Sequence, residues 1–149
     1  MTRLSDLKES PGYQLWVATN RWQRFLRRAL APIGLTHVQY IVLVIVWRLR
    51  DTMPHVTQAA VSKLGELDAN MASQVIRSLV EKGLLVRRPH PKDGRAVSLE
   101  LTEDGADCVE KARAAVTPLI DEFFEPLGKD QENLARMLSR LNEDDRVIP

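Results

Sequence analysis

Three features of the sequence predict a mainly α fold with a small β-hairpin wing (α+β). Between Val56 and Gly83, two short amphipathic stretches are separated by a glycine turn. Leu84 to Leu101 then reads as two strands around the basic run His90-Pro91-Lys92-Asp93-Gly94-Arg95. Long amphipathic stretches flank this unit on both sides. Helix, turn, helix and hairpin in that order are how a winged helix-turn-helix presents itself in sequence.

At 149 residues, 44% hydrophobic and 28% charged, the chain can bury one real core, as one domain or one domain with a helical extension. Its longest apolar run, Ile41 to Trp47, falls well short of the roughly 18 residues that suggest a membrane span, so no membrane association is expected. The N-terminus has no apolar signal-peptide core, and Cys108, the one cysteine, has no partner for an internal disulfide. Both fit a cytoplasmic protein. A formal charge of +1 is low for a nucleic-acid binder, but its distribution is lopsided. Residues 1–50 hold eight Lys and Arg against two acids, residues 57–95 seven against four, and residues 96–149 six against thirteen. If the basic front meets phosphate, the acidic back has to face away or be neutralised by the basic first helix.

From Tyr13 to Leu30, Leu15, Ala18, Trp22, Phe25, Leu26 and Ala29 recur at helical spacing with Arg21, Arg24, Arg27 and Arg28 between them. Pro32 and Gly34 end this first helix. Thr36 and Gln39 form a capping box for a second helix, with Leu35 and Tyr40 placed as a staple. Its stripe of Val38, Ile41, Val42, Ile45 and Leu49 is joined by Leu43, Val44 and Trp47, so it should be covered on two sides. After Met53-Pro54, Thr57 caps a short third helix to about Leu64, and Gly65 turns the chain. Asp68 or Asn70 caps a fourth helix, which Gly83 closes. Strands at Leu84 to Arg88 and Ala96 to Leu101 follow, with Asp93-Gly94 at the turn and Pro89 and Pro91 keeping the paired part short. Thr102 caps a long fifth helix with Glu103 and Asp104 in its first turn. Pro118 lies within its apolar stripe and predicts a kink without a break. Beyond Pro126 and Gly128, a last helix carries Leu134, Met137, Leu138 and Leu141.

Projecting the fourth helix at 3.6 residues per turn gathers Ala72, Val75, Ile76 and Leu79 on one side and Asn70, Gln74 and Arg77 on the other. Asn and Gln can bond two edges of adenine, and Arg two acceptors of guanine, so the polar side suits base contact in a major groove. On the hairpin, Lys92 and Arg95 flank Gly94, which permits a tight reversal, and Arg87 and Arg88 stand at the base. An extended Arg suits a narrow minor groove. Asp93 would repel phosphate; it is expected to pair with a nearby Arg and shape the tip. The same features also suit a winged domain that docks proteins without sequence-specific DNA binding. Salt dependence separates the two.

Catalysis has little support. His37, His55 and His90 lack ligand spacing, so neither a metal site nor a cofactor is expected, and no paired acid and base suggest an enzyme. Cys108 has no obvious basic neighbour in sequence to make it a thiolate.

The segment from Asp68 to Gly105 resembles the MarR family of bacterial transcriptional regulators. The likeness lies in Lys82-Gly83-Leu84 after the fourth helix, the Asp93-x-Arg95 wing signature, and Leu101-Thr102-x-x-Gly105 at the start of the fifth helix. The resemblance implies a single unit over 1–149, with a winged DNA-binding region at 53–101 and a helical dimerisation region at 10–35 and 102–146. It implies a homodimer on a pseudo-palindromic operator, acting as a regulator with repression as the expected mode. Asn70, Ser73, Gln74 and Arg77 would face bases or phosphates and Arg95 the minor groove. Thr57, Gln58, Arg87, Arg88 and Lys92 complete the expected DNA-binding set, with Asp93 and Gly94 shaping the wing. Family members often carry Arg where this chain has Ala69 and Gln74. The peroxide-sensing branch uses a cysteine in the first helix, where this chain has none. Other members respond to small aromatic or amphipathic ligands, for which Trp16, His37, Tyr40 and Trp47 are the candidate wall residues.

The homodimer has a separate argument. The first, fifth and last helices carry more apolar surface than a small winged core can cover, and a partner subunit would cover it.

Overall fold

The computed structural model describes residues 3–143. Seven α-helices and three short strands run in the order α1 (Leu4–Glu9), α2 (Pro11–Leu30), α3 (His37–Leu49), β1 (Val56–Thr57), α4 (Gln58–Leu64), α5 (Ala69–Glu81), β2 (Leu85–Pro89), β3 (Val97–Leu101), α6 (Glu103–Phe124) and α7 (Gln131–Asn142). The six helices expected from sequence are therefore α2 to α7, and α1 is an addition. The end of the expected dimerisation segment, residues 144–146, lies outside the described residues.

The capping residues act as their chemistry dictates. Thr36 Oγ1 accepts from Gln39 N at 3.2 Å while Gln39 Oε1 accepts from Thr36 N at 3.0 Å, a reciprocal capping box. Thr57, Asp68 and Thr102 each accept the amide three residues on, at 3.1, 2.8 and 2.9 Å. At the end of α5, Gly83 takes φ +74, and the bonds Gly83 N to Val80 O and Leu84 N to Leu79 O complete a Schellman motif. Pro118 leaves α6 continuous from Glu103 to Phe124.

Two details go beyond what the sequence pattern contains. The hairpin is part of a three-stranded antiparallel sheet of order β1-β3-β2, because Val56 and Thr57 pair with Leu99 and Ser98 on the free edge of β3. A two-residue strand has no periodicity of its own, and only the long-range pairing creates it. The chain turns at Gly65 as expected, and the left-handed residue of the turn is its neighbour Glu66, at φ +50, while Gly65 keeps right-handed angles. Gly65 serves by being small: a Cβ there would lie 3.1 Å from the Val61 carbonyl oxygen and 3.3 Å from Leu67.

The core draws one to three side chains from most of the elements. Leu26 and Leu30 of α2, Val42, Leu43 and Val46 of α3, Val61 of α4, Ile76 and Leu79 of α5, Leu85 and Leu99 of the sheet, and Val109 and Val116 of α6 are all fully enclosed. Helix α3 lies between the winged elements and the α2–α6 pair, so it is covered on two sides as its composition requires. Trp22 and Phe25 of α2 meet Phe123 and Phe124 of α6 with ring centroids 5.2–5.3 Å apart, in tilted and edge-on arrangements. Outside these contacts, Leu4, Leu7, Leu15, Trp16, Met137 and Leu141 remain exposed.

Gly105 fixes the junction between wing and long helix. A Cβ there would sit 2.0 Å from the carbonyl oxygen of Leu84. Thr102 reinforces the approach, its hydroxyl donating to Gly83 O at 2.6 Å and its amide to Leu84 O at 3.1 Å.

Candidate nucleic-acid interface

Helix α5 has a dry side and a wet side. Ala72, Ile76 and Leu79 are wholly buried, while Asn70, Gln74 and Arg77 are exposed one turn apart and Ser73 is half-buried beside them. Burial of the apolar stripe sets the rotation of the helix, and that rotation turns the polar ridge outward. The far end is anchored by Gln39, a buried amide on α3. Its Nε2 donates to Ser78 Oγ at 3.0 Å, its Oε1 accepts from Lys82 Nζ at 3.2 Å, and Ser78 in turn donates to Val75 O. The position of the exposed ridge is thus held by a satisfied polar network as well as by packing.

The wing stands beside the start of this helix. Thr57, Gln58, Asp68, Ala69 and Arg95 line one open hollow of about 720 Å³ between α4, the N-terminus of α5 and the wing. Exposed Lys63 lines it too. Sequence reading passed over Lys63 because a cation in a last helical turn is ordinary; only the fold brings it round to Arg95. Thr57 spends its hydroxyl on the α4 cap, leaving Gln58 as the freer polar side chain of the two.

Arg87, Lys92 and Arg95 are exposed along the wing. Arg88 is exposed as well, but its Nε donates to Glu100 Oε2 at 3.1 Å across the hairpin. That pair ties Nε to the wing base and leaves the Nη groups of the exposed guanidinium as its free donors.

The tip itself differs from expectation in one respect. Asp93 binds no guanidinium; its Oδ1 accepts from the backbone amide of Arg95 at 3.0 Å. A short carboxylate reaches the amide two residues on more readily than a mobile side chain, the geometry of an Asx turn. Gly94 does not adopt a left-handed conformation, and a Cβ there would meet open space. The turn nevertheless falls at Asp93-Gly94 as expected, closed by Ala96 N to Asp93 O and His90 N to Ala96 O, with Nδ1 of His90 accepting the amides of both Lys92 and Asp93. His90 is a tip-shaping residue that sequence reading missed.

The four candidate ligand-wall residues are only partly brought together. Tyr40 and Trp47 lie two turns apart on α3, and Arg113 of α6 stacks over the Trp47 ring at 4.3 Å, with Arg48 and Arg50 also against it. Burial pushes the Tyr40 phenol up from its ordinary value, against the pull of Arg113 and Arg48. His37 starts the same helix; burial, helped by Arg27, lowers its imidazole. Trp16 stands apart on α2, 70% exposed. Cys108 is half-buried, and desolvation raises its thiol more than Lys82 and Lys111 lower it, so the thiolate is disfavoured. No single helix among the described residues is long and apolar enough to cross a membrane.

Comparison with known proteins agrees with this geometry. A family model described as the MarR family matches residues 33–96. The uncharacterized HTH-type transcriptional regulator YdcH of Bacillus subtilis (strain 168) is 34% identical over 143 residues, which span 96% of this chain and 97% of the relative. Among solved structures, the transcriptional repressor CouR bound to a 23-mer DNA duplex is similar with a TM-score of 0.84 at 27% identity, over 96% of this chain and 99% of that one. BpsR of Bordetella bronchiseptica, whose DNA binding is regulated by 6-hydroxynicotinic acid, follows at 0.83 and 25%, over 97% and 99%. A fold shared along nearly the full length, together with a 34% identical relative, settles the kinship: the chain belongs to the MarR family of winged helix-turn-helix transcriptional regulators.

Proposed function

We propose that the protein is a sequence-specific DNA-binding regulator, acting as a repressor, that works as a homodimer on a pseudo-palindromic operator. The observation that carries this reading is the nearness of the wing to the start of the helix that bears the polar ridge. Asn70, Gln74 and Arg77 are exposed on α5, and Arg95 of the wing lines one open hollow with Asp68 and Ala69 at the start of that helix. Asn70, Ser73, Gln74 and Arg77 enter the major groove. Arg95, with Lys92, reaches the adjacent minor groove, and Gln58, Lys63 and Arg87 meet the backbone between them. In this division of labour residues 53–101 read DNA, and 10–35 with 102–146 form the dimer.

The dimer rests on apolar side chains that find no cover in one chain, at both ends of the helical region: Leu4, Leu7, Leu15 and Trp16 on α1 and α2, Met137 and Leu141 on α7. Two-fold symmetry would set the two α5 helices roughly 34–36 Å apart, or a multiple, to match successive turns of the duplex. A small aromatic or amphipathic ligand, by analogy with BpsR, would act near Tyr40, Trp47 and Arg113 with His37 and Trp16 by favouring an unsuitable spacing. The working compartment is the cytoplasm, and no catalytic step is assigned.

Selection of bound sequences from random duplex DNA tests the reading. A pseudo-palindrome should emerge, and the log of its affinity should fall with log salt at about −0.9 per neutralised phosphate. Recovery of no sequence preference, with salt-insensitive binding to a protein, would favour the docking module instead.

A further inference from the structure

We infer that His90 is the positioning residue of the wing tip and that its protonation weakens operator binding as the solution turns acid. The inference rests on the reading of the wing as a DNA contact. From Pro89 to Arg95 the chain leaves the sheet, and side chains largely hold its shape. Two consecutive amides, those of Lys92 and Asp93, donate to a single atom, Nδ1 of His90, at 3.1 Å each. That atom must offer a lone pair, so the ring in this arrangement is neutral, with its proton on Nε2. Imidazole is the side chain whose charge ordinarily changes between about pH 5 and pH 8. A proton on Nδ1 would set an N–H against two N–H donors, and the tip would have to open.

The surroundings give a charged ring little compensation. His90 is half-buried and lies edge-on to His55, with ring centroids 5.1 Å apart, so its neighbour on that side is another imidazole and not a carboxylate. Of the acids on the hairpin, Asp93 already accepts from Arg95 N, and Glu100, opposite Val86 farther down the ladder, is held by Arg88 at 3.1 Å. Glu103 shares with Arg50 and His55 the hollow of about 410 Å³ behind the sheet. Lys92 and Arg95 are the cations of the tip itself. Asp93 and the two His90 bonds together hold the backbone from which the exposed Arg95 side chain projects, so loss of the histidine acceptor frees that backbone and with it the root of the guanidinium.

The sign of the pH dependence decides the matter, because a bare extra cation near phosphate would strengthen binding in acid. The test is fluorescence anisotropy of the full-length dimer on its selected operator, at constant ionic strength, from about pH 8 down to about pH 5.5. Affinity should fall about fivefold or more over that range, the worth of a lost hydrogen bond. His90→Asn, whose side-chain oxygen can accept the same amides without titrating, should keep the high-pH affinity and lose the slope. His90→Ala should be weak at every pH. Binding that strengthens in acid, or a wild-type slope retained in His90→Asn, would overturn the proposal. A second readout needs no DNA: in NMR spectra of the free dimer, the Lys92 and Asp93 amide shifts should move with the His90 ring and stay flat in His90→Asn. Amides that ignore the ring refute the role of His90 whatever the DNA result. Absence of operator binding at about pH 8 with amides that do follow it refutes the DNA reading of the wing alone.

Discussion

Helices α5 and α7 are comparably amphipathic in sequence, yet one is buried along its apolar side and the other is not. Ala72, Ile76 and Leu79 of α5 have no exposed surface, whereas Met137 and Leu141 of α7 are 48% and 66% exposed. Their N-termini differ in the same way: Asp68 caps α5 by accepting from Met71 N at 2.8 Å, while Asp130 at the start of α7 makes no side-chain cap. Amphipathicity thus foretells that a face will be covered, not by what. In α5 the cover is the same chain, and the polar side stays open to solvent. In α7 the cover has to come from elsewhere, which is the physical basis of the proposed dimer.

The largest expected effect separates the two helices directly. Ile76→Ala should lower unfolding free energy by about 2–5 kcal/mol, a core cavity, at every protein concentration. Leu141→Glu should instead weaken self-association by about tenfold to a hundredfold, seen by sedimentation at graded concentrations, with helix content retained when the protein is concentrated. An unchanged dimer constant in Leu141→Glu would remove the α7 face from the interface. On the wet side of α5, Arg77→Ala should cost roughly 1–3 kcal/mol of operator binding, concentrated at one base pair if it reads a base and even across sequences if it meets phosphate. Arg95→Ala should weaken binding while leaving the dimer and its melting temperature nearly intact; a large loss of stability would make Arg95 structural.

Smaller effects sharpen the contrast at the helix starts. Asp68→Ala should cost about 1 kcal/mol of stability by denaturant titration, whereas Asp130→Ala should cost less because no cap is lost. The smallest effect expected is a pH dependence of stability from His37. Burial and Arg27 depress its folded-state imidazole, so the unfolded chain takes up the proton first as pH falls below the ordinary histidine value near 6.5. Stability should be full above that pH and decline beneath it, levelling once the folded ring is also charged. A melting temperature that rises on mild acidification would contradict the sign.

The legible parts of this fold were the local ones. Thr36 with Gln39, Thr57, Asp68, Thr102 and Gly83 announce their helix ends because the atoms they satisfy lie within a few residues. The exposed ridge of α5 was legible for the same reason, since its buried stripe sets the opposite side. What escaped was created by distance along the chain or by choices among equivalent local solutions. Strand β1 exists only by pairing with β3. Helix α1 buries no residue that would have marked it. The left-handed turn position is Glu66, beside a Gly65 whose added Cβ would be tight, and the tip turn at Asp93-Gly94 is supported by His90, which no local pattern marks.

The missing side chain of Gly105 bears on how a signal would cross the molecule. With the backbone of Leu84 pressed against the root of α6 and Thr102 bonded to both Gly83 O and Gly105 N, there is no slack segment between the end of α5 and the helix that leads toward the proposed partner. A change in tilt of α6 would therefore arrive at α5, the helix proposed to face DNA, as motion of the same rigid piece. Substituting even a methyl at this seam would loosen the gearing before it touched either surface.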